Sequence, residues 1–125
     1  MENQISKPKV LIVDDERLNL NLLATLLKSD CKVIAAKSGE QAIERASIMS
    51  PDLILLDVVM PGMNGRELTD NLQVRYPDIK TLYMSGYTAD VIADRGVLEK
   101  EVHFIQKPFS VKDLGFSVRE TLKTP

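Results

Sequence analysis

Five short apolar runs alternate along the chain with segments of helical periodicity, and this alternation limits the fold more than any other feature. The runs are residues 9–13, 31–36, 53–56, 80–84 and 102–106. The first and third are almost wholly aliphatic, as expected of strands buried on both faces. After the first run, Leu18, Leu22, Leu23, Leu26 and Leu27 recur as the stripe of an amphipathic helix. A second helix starts at Gly39 and carries Ala42, Ile43, Ala46 and Met49 on one face. Pro51 ends it, because the residue before a proline avoids the helical region. Further helical segments fall at 65–75, at 88–100, which is weakly apolar, and along Val111, Leu114, Val118 and Leu122. Parallel strands need crossover connections, so β-α five times over predicts an α/β fold with helices on both faces of one parallel sheet. Ligands of such sheets bind outside the carboxyl ends of the strands.

The 125 residues suit one globular domain and leave no room for a fused DNA-binding output domain. A domain this long buries roughly two-thirds of its unfolded surface and needs no disulfide or metal staple. The single cysteine, Cys31, excludes an internal disulfide and fits a reducing compartment. With 16 basic against 18 acidic side chains, the chain lacks the basic footprint of a nucleic-acid binder. Its apolar runs are far shorter than the roughly 20 residues that span a bilayer, and Met1 to Gln4 open no secretory leader. The expectation is a soluble, cytoplasmic module.

The chemistry-bearing residues fall at the strand ends. Asp14 and Asp15 follow the first run, Asp57 the third, Ser85 the fourth and Lys107 the fifth; the second ends in Lys37-Ser38-Gly39 without an acid. Singly, most have an ordinary explanation: Asp15 as a helix cap, Ser85 as a turn residue before Gly86, Lys107 as a solvated lysine. Asp57 resists one, since a charge directly after four aliphatics is costly unless the strand opens into a polar site. Three carboxylates on one edge repel one another unless a cation neutralises them, and Mg²⁺ takes carboxylate, water and phosphate oxygens. A lysine and a hydroxyl beside such an ion suit phosphoryl oxygens. The set predicts Mg²⁺-assisted phosphoryl transfer with a carboxylate nucleophile. His103 falls at the opposite end of the fifth run and reads as an ordinary surface or structural residue. Cys31 reads as a small buried hydrophobe.

Together, Asp14-Asp15-Glu16, the stretch Leu55 to Gly65 around Asp57, Ser85-Gly86 and Lys107-Pro108-Phe109 resemble the receiver domain of two-component response regulators, over residues 9–122. The resemblance implies a flavodoxin-like (βα)5 sandwich with a five-stranded parallel sheet in the order 2-1-3-4-5, residues 1–8 forming a flexible lead-in and 123–125 a tail. It implies that Asp57 accepts a phosphoryl group from a phosphohistidine. Asp15 would bind Mg²⁺ directly and Asp14 largely through water, with Asp57 and the backbone carbonyl of Val59 completing the protein's ligands. Lys107 would contact a phosphoryl oxygen, Ser85 would be the switch hydroxyl, and Phe104 the aromatic that changes rotamer with it. Pro108 would follow a cis peptide.

The implied partners are a sensor histidine kinase or histidine phosphotransfer domain, and a downstream effector or attached domain. Direct contact with nucleic acid or membrane is not implied, and a homodimer on phosphorylation is among the assemblies open to such a domain. Residues 84–88 and 104–110 are similar to receivers of hybrid sensor histidine kinases, whereas 11–16 and 51–65 are similar to those of free-standing regulators. The end of the chain just past the last helix favours a piece of a longer protein. Val59 and Tyr87 flank the approach of water to the acyl phosphate and imply slow self-dephosphorylation, since valine cannot orient water. Segment 88–100 is the expected moving element.

Three other readings fit less well. A haloacid-dehalogenase-type phosphatase also uses a strand-end aspartate with Mg²⁺, but wants a second aspartate two residues on, where Val59 stands. A flavodoxin-like electron carrier would need a phosphate loop where Asp14-Asp15-Glu16 would repel phosphate. A non-phosphorylated scaffold receiver is at odds with an intact set of five site residues. In the receiver reading the chain is no enzyme toward other substrates and catalyses only its own phosphorylation and dephosphorylation.

Overall fold

The computed structural model describes residues 7–57, 65–85, 103–107 and 109–123. Along the chain run β1 (Lys9–Val13), α1 (Arg17–Leu27), β2 (Lys32–Ala36), α2 (Gly39–Met49), β3 (Leu53–Asp57), α3 (Gly65–Arg75), β4 (Lys80–Ser85), β5 (Phe104–Gln106) and α4 (Val111–Leu122). The expected helix at 88–100, together with Val59, Tyr87 and Pro108, lies outside the described residues.

The strands pair in parallel in the order β2-β1-β3-β4-β5, the flavodoxin-like arrangement. β1 sits between β2 and β3, so Val10 faces both Val33 and Leu53, and Val13 both Ala36 and Leu56. Side chains alternate across the sheet, and two cores result. Leu11, Val13, Ile54, Leu56 and Tyr83 meet α2 and α3 on one face. Val10, Ile12, Leu53, Leu55, Leu82, Met84 and Ile105 meet α1 and α4 on the other. Both faces of β1 and β3 are covered, which is why these strands are unbroken aliphatic runs instead of alternating ones.

Two helices bury a different arc from the one the leucine spacing predicts. In α1 the buried residues are Leu20, Leu23 and Leu27, while Leu18 is 77% and Leu22 56% exposed. At about 100° per residue, Leu18 and Leu22 lie nearly half a turn from Leu20; α1 has leucine on most of its circumference, and only the sheet decides which side is covered. In α4, Leu114, Val118 and Thr121 are buried, Leu122 is partly buried against the core, and Val111 is exposed. This helix meets the sheet only from its second turn. Thr121 buries its methyl at little cost because its hydroxyl donates to the Ser117 carbonyl at 2.7 Å.

The helix ends follow from local chemistry. The Ser38 hydroxyl accepts the Gln41 N–H at the start of α2, and the Gln41 side chain accepts the Lys37 N–H in return. Ser50 closes α2 in the left-handed conformation, φ 50°, before Pro51. Ser110 and Asp113 form a reciprocal capping box at α4. Ser110→Ala should therefore cost about 0.5–2 kcal/mol in a denaturant titration, whereas Ser47→Ala, on the exposed side of α2, should fall within about 0.5 kcal/mol of the parent.

Cys31 precedes β2 by one residue, is buried, and donates its N–H to the Leu27 carbonyl at 2.9 Å. Burial pushes its thiol pKa up, the Asp30 charge adds to this, and Lys7 opposes it. The thiol is thus held protonated at neutral pH, as for a packing residue. His103 is exposed, directly ahead of β5.

Candidate functional site

The sheet order turns residues far apart in sequence into neighbours. Asp14 stands one residue past β1, Asp57 ends β3, Ser85 ends β4, and Lys107 stands one residue past β5. Two backbone bonds carry the strand pairing into this edge: Asp14 N–H donates to the Ala36 carbonyl at 3.1 Å, and Lys107 N–H to the Ser85 carbonyl at 2.8 Å. The side chains are therefore launched from paired backbone, which restricts their freedom before any ligand arrives.

Asp14, Asp15 and Asp57 form an acidic cluster whose carboxylate oxygens lie within 4.8 Å of one another. They are not equivalent. Asp14 is 1% exposed, Asp57 is half-buried and Asp15 is exposed. Asp14 accepts the Glu16 N–H at 3.0 Å and the Asn19 side-chain amide at 3.4 Å. Glu16 is the N-cap of α1 and makes no side-chain cap bond. Asp15 therefore does not cap this helix; the inward-turned Asp14 takes up one of its first free N–H groups instead. Asn19 carries no motif of its own, and its place in the first turn of α1, five residues after Asp14, is the only sign that could have marked it.

Lys107 reaches across β4 to both of the more buried acids. Its Nζ lies 3.1 Å from Asp57 Oδ2 and 3.4 Å from Asp14 Oδ2. Burial alone would pull its pKa down, but the charges of Asp57 and then Asp14, with the hydrogen bonds to each, outweigh it and leave the ammonium above the ordinary lysine value. Among the described residues of the cluster, the Lys107 ammonium stands beside three carboxylates. Three carboxylate oxygens this close together fit a hard divalent cation such as Mg²⁺. Ser85 is 2% exposed at the rim of the same edge. Phe104, the first residue of β5, is partly buried against the core shared with Tyr83, its direct partner in the β4–β5 register. All the expected site residues within the described part thus belong to one end of the sheet except Phe104, which lies three residues back along β5.

A doubly wound α/β domain with a lysine-bridged aspartate cluster at its carboxyl edge has the build of a receiver-type signalling domain. The chain belongs to the response regulator receiver domain family, which it matches over residues 10–119. It is 33% identical over 116 residues to the sensor kinase CckA of Brucella abortus, covering 91% of this chain and 12% of that protein. It is 35% identical over 116 residues to the response regulator protein VraR of Staphylococcus saprophyticus, covering 90% of this chain and 56% of that protein. The chain thus spans between about an eighth and about half of these relatives. In fold it superposes on the chemotaxis protein CheY4 of Vibrio cholerae with a TM-score of 0.83, at 24% identity, over 93% of this chain and 99% of that one. The family match favours a two-component signalling domain over the haloacid-dehalogenase-type phosphatase. Among the described residues, no helix is long and apolar enough to cross a membrane.

Proposed function

We propose that the domain, residues 9–122, is a phosphorelay switch in which Asp57 is the acceptor. The observation that carries this reading is Lys107 Nζ held between Asp57 and Asp14 with Asp15 alongside. A carboxylate oxygen of Asp57 attacks phosphorus, the bond from phosphorus to the donor histidine nitrogen breaks, and its electron pair returns to the imidazole. Asp14, Asp15, Asp57 and the Val59 carbonyl would hold Mg²⁺, which offsets charge on the transferring phosphoryl oxygens when bound. Lys107 releases part of its hold on the carboxylates and pairs with a phosphoryl oxygen. Ser85 donates its hydroxyl to another, and Phe104 changes rotamer with it. A phosphoryl group adds charge that these residues satisfy in only one arrangement of the β4 and β5 ends, so modification shifts a conformational population.

The donor is a sensor histidine kinase or histidine phosphotransfer domain, and the output an effector protein or attached domain, including that of a hybrid kinase. The domain acts in the cytoplasm, on no substrate but itself, without binding nucleic acid, and phosphorylation promotes a homodimer where the output requires one. Incubation with acetyl phosphate and Mg²⁺ should add the mass of one phosphoryl group, and Asp57→Asn should add none. A mass gain that survives Asp57→Asn would overturn the assignment. The valine at 59 leaves attacking water without a polar guide, so the acyl phosphate should be long-lived and Val59→Asn should shorten its decay. Rapid loss of the phosphoryl group in the parent, unchanged by that substitution, would remove this part of the reading.

A further inference from the structure

The described structure contains one buried hydroxyl pair away from the acidic cluster that neither the capping chemistry nor the proposed transfer uses. Thr69 Oγ1 and Tyr83 Oη lie 2.7 Å apart, and both residues are buried. Thr69 belongs to α3, the first element described after Asp57, and Tyr83 to β4, two residues before Ser85. Residues two apart on a strand face the same side, so Tyr83 and Ser85 share a face of β4. Tyr83 is also the register partner of Phe104, and Phe104 packs against the cluster that contains Tyr83, Leu68 and Leu72. Neighbouring strands of a sheet lie about 4.7–4.9 Å apart, so register partners on one face, such as Tyr83 and Phe104, stand side by side in that cluster.

From this we infer that Thr69 and Tyr83 are positioning residues that set the rotamer preference of Phe104. A tyrosine ring has two torsions, and tying its hydroxyl to α3 fixes both the ring plane and the spacing between α3 and β4. The wall against which Phe104 packs is then a rigid one, and the cost of turning Phe104 depends on it. The same bridge joins the next described helix after Asp57 to the strand that ends in Ser85. The inference rests on the reading of Phe104 as the switch aromatic of a domain phosphorylated at Asp57.

Fluorine NMR of the whole chain carrying 4-fluorophenylalanine tests it. The three phenylalanines are Phe104, Phe109 and Phe116, so Phe104→Leu assigns the resonance. Spectra would be taken in Mg²⁺ with and without beryllofluoride, on the parent, Tyr83→Phe, Thr69→Val, the double variant and Thr69→Ser. Tyr83→Phe and Thr69→Val should each shift the Phe104 rotamer ratio by up to about tenfold, the ceiling set by one net hydrogen bond. The double variant should shift it no further than either single one, and Thr69→Ser, which keeps the hydroxyl, should restore the parent position. Variants that lower the unfolding midpoint yet leave the Phe104 line unmoved would show the bridge to be purely structural and overturn the inference. A parent unaffected by beryllofluoride would instead count against the phosphoacceptor reading, while the spectra without beryllofluoride still decide the role of the bridge.

Discussion

Replacing Lys107 with methionine is expected to slow phosphorylation of Asp57 by about 10²–10³-fold, the usual loss on removing one preorganised donor from a reacting oxygen. Methionine keeps the length of the side chain but removes the ammonium that lies 3.1 Å from Asp57 and 3.4 Å from Asp14. The fold should respond as well, because Asp14 is buried and loses an ammonium 3.4 Å away. In chelator the variant should unfold at lower denaturant than the parent. In Mg²⁺ the gap should close, since the ammonium and the metal compete for the same carboxylates and its removal should tighten metal binding. Rates from acetyl phosphate, read by intact mass, and Mg²⁺ titrations of unfolding midpoints measure both effects. A variant that is phosphorylated at the parent rate would remove Lys107 from the chemistry.

The same pair has a pH signature of fixed sign. The folded-state pKa of Lys107 is raised, burial being outweighed by the two aspartates. A raised lysine pKa contributes stability that is fully present below the unfolded value, about 10.4, and is lost as pH rises through the higher folded value. The stability difference between the parent and Lys107→Met in chelator should therefore hold across the neutral range and shrink only in strongly alkaline solution. A difference that vanishes on passing from pH 8 to about pH 9, well below that reference, would mean that the ion pair is not what stabilises the edge.

How far the sequence could be read depended on where burial was decided. β1 and β3 are covered on both faces, so Val10 to Val13 and Leu53 to Leu56 had to be aliphatic throughout and announced themselves. The acids and the lysine were legible because they stand at or just past the ends of the expected strands, and a parallel sheet brings every such position to one edge. α1 was harder, because its leucines at 18, 20, 22, 23, 26 and 27 support more than one stripe; tertiary contact with β1 and β2 chose Leu20, Leu23 and Leu27. The two adjacent aspartates looked alike in sequence. Which one turns inward depends on the chain direction between β1 and α1, and the structure gives Asp14 the buried, bonded place and leaves Asp15 in solvent. The Thr69–Tyr83 bridge left no trace at all, since its partners are 14 residues apart on different elements and belong to no motif.

That division sets a residue bonded within the fold, Asp14, beside one turned to solvent, Asp15, and the second large effect follows from it on the proposed Mg²⁺ site. Mg²⁺ at a hundred times its dissociation constant should stabilise the parent by about 2.7 kcal/mol. Asp15 is exposed and its charge repels Asp14 and Asp57 in the same cluster, so Asp15→Asn should be at least as stable as the parent in chelator, yet lose most of the Mg²⁺ response if its carboxylate is the proposed direct ligand. Asp14→Ala should lose stability already in chelator. It strips the acceptor from the Glu16 N–H and one of two carboxylate partners from Lys107, each lost hydrogen bond costing about 0.5–1.5 kcal/mol before any metal is added. Unfolding midpoints in chelator and in Mg²⁺ on the two variants therefore separate a loss of stability in the metal-free fold from a loss of the metal response. If Asp15→Asn kept the full Mg²⁺ stabilisation, the ion would have to be held by Asp14, Asp57 and the Val59 carbonyl without it, and the exposed aspartate would be only a bystander of the site.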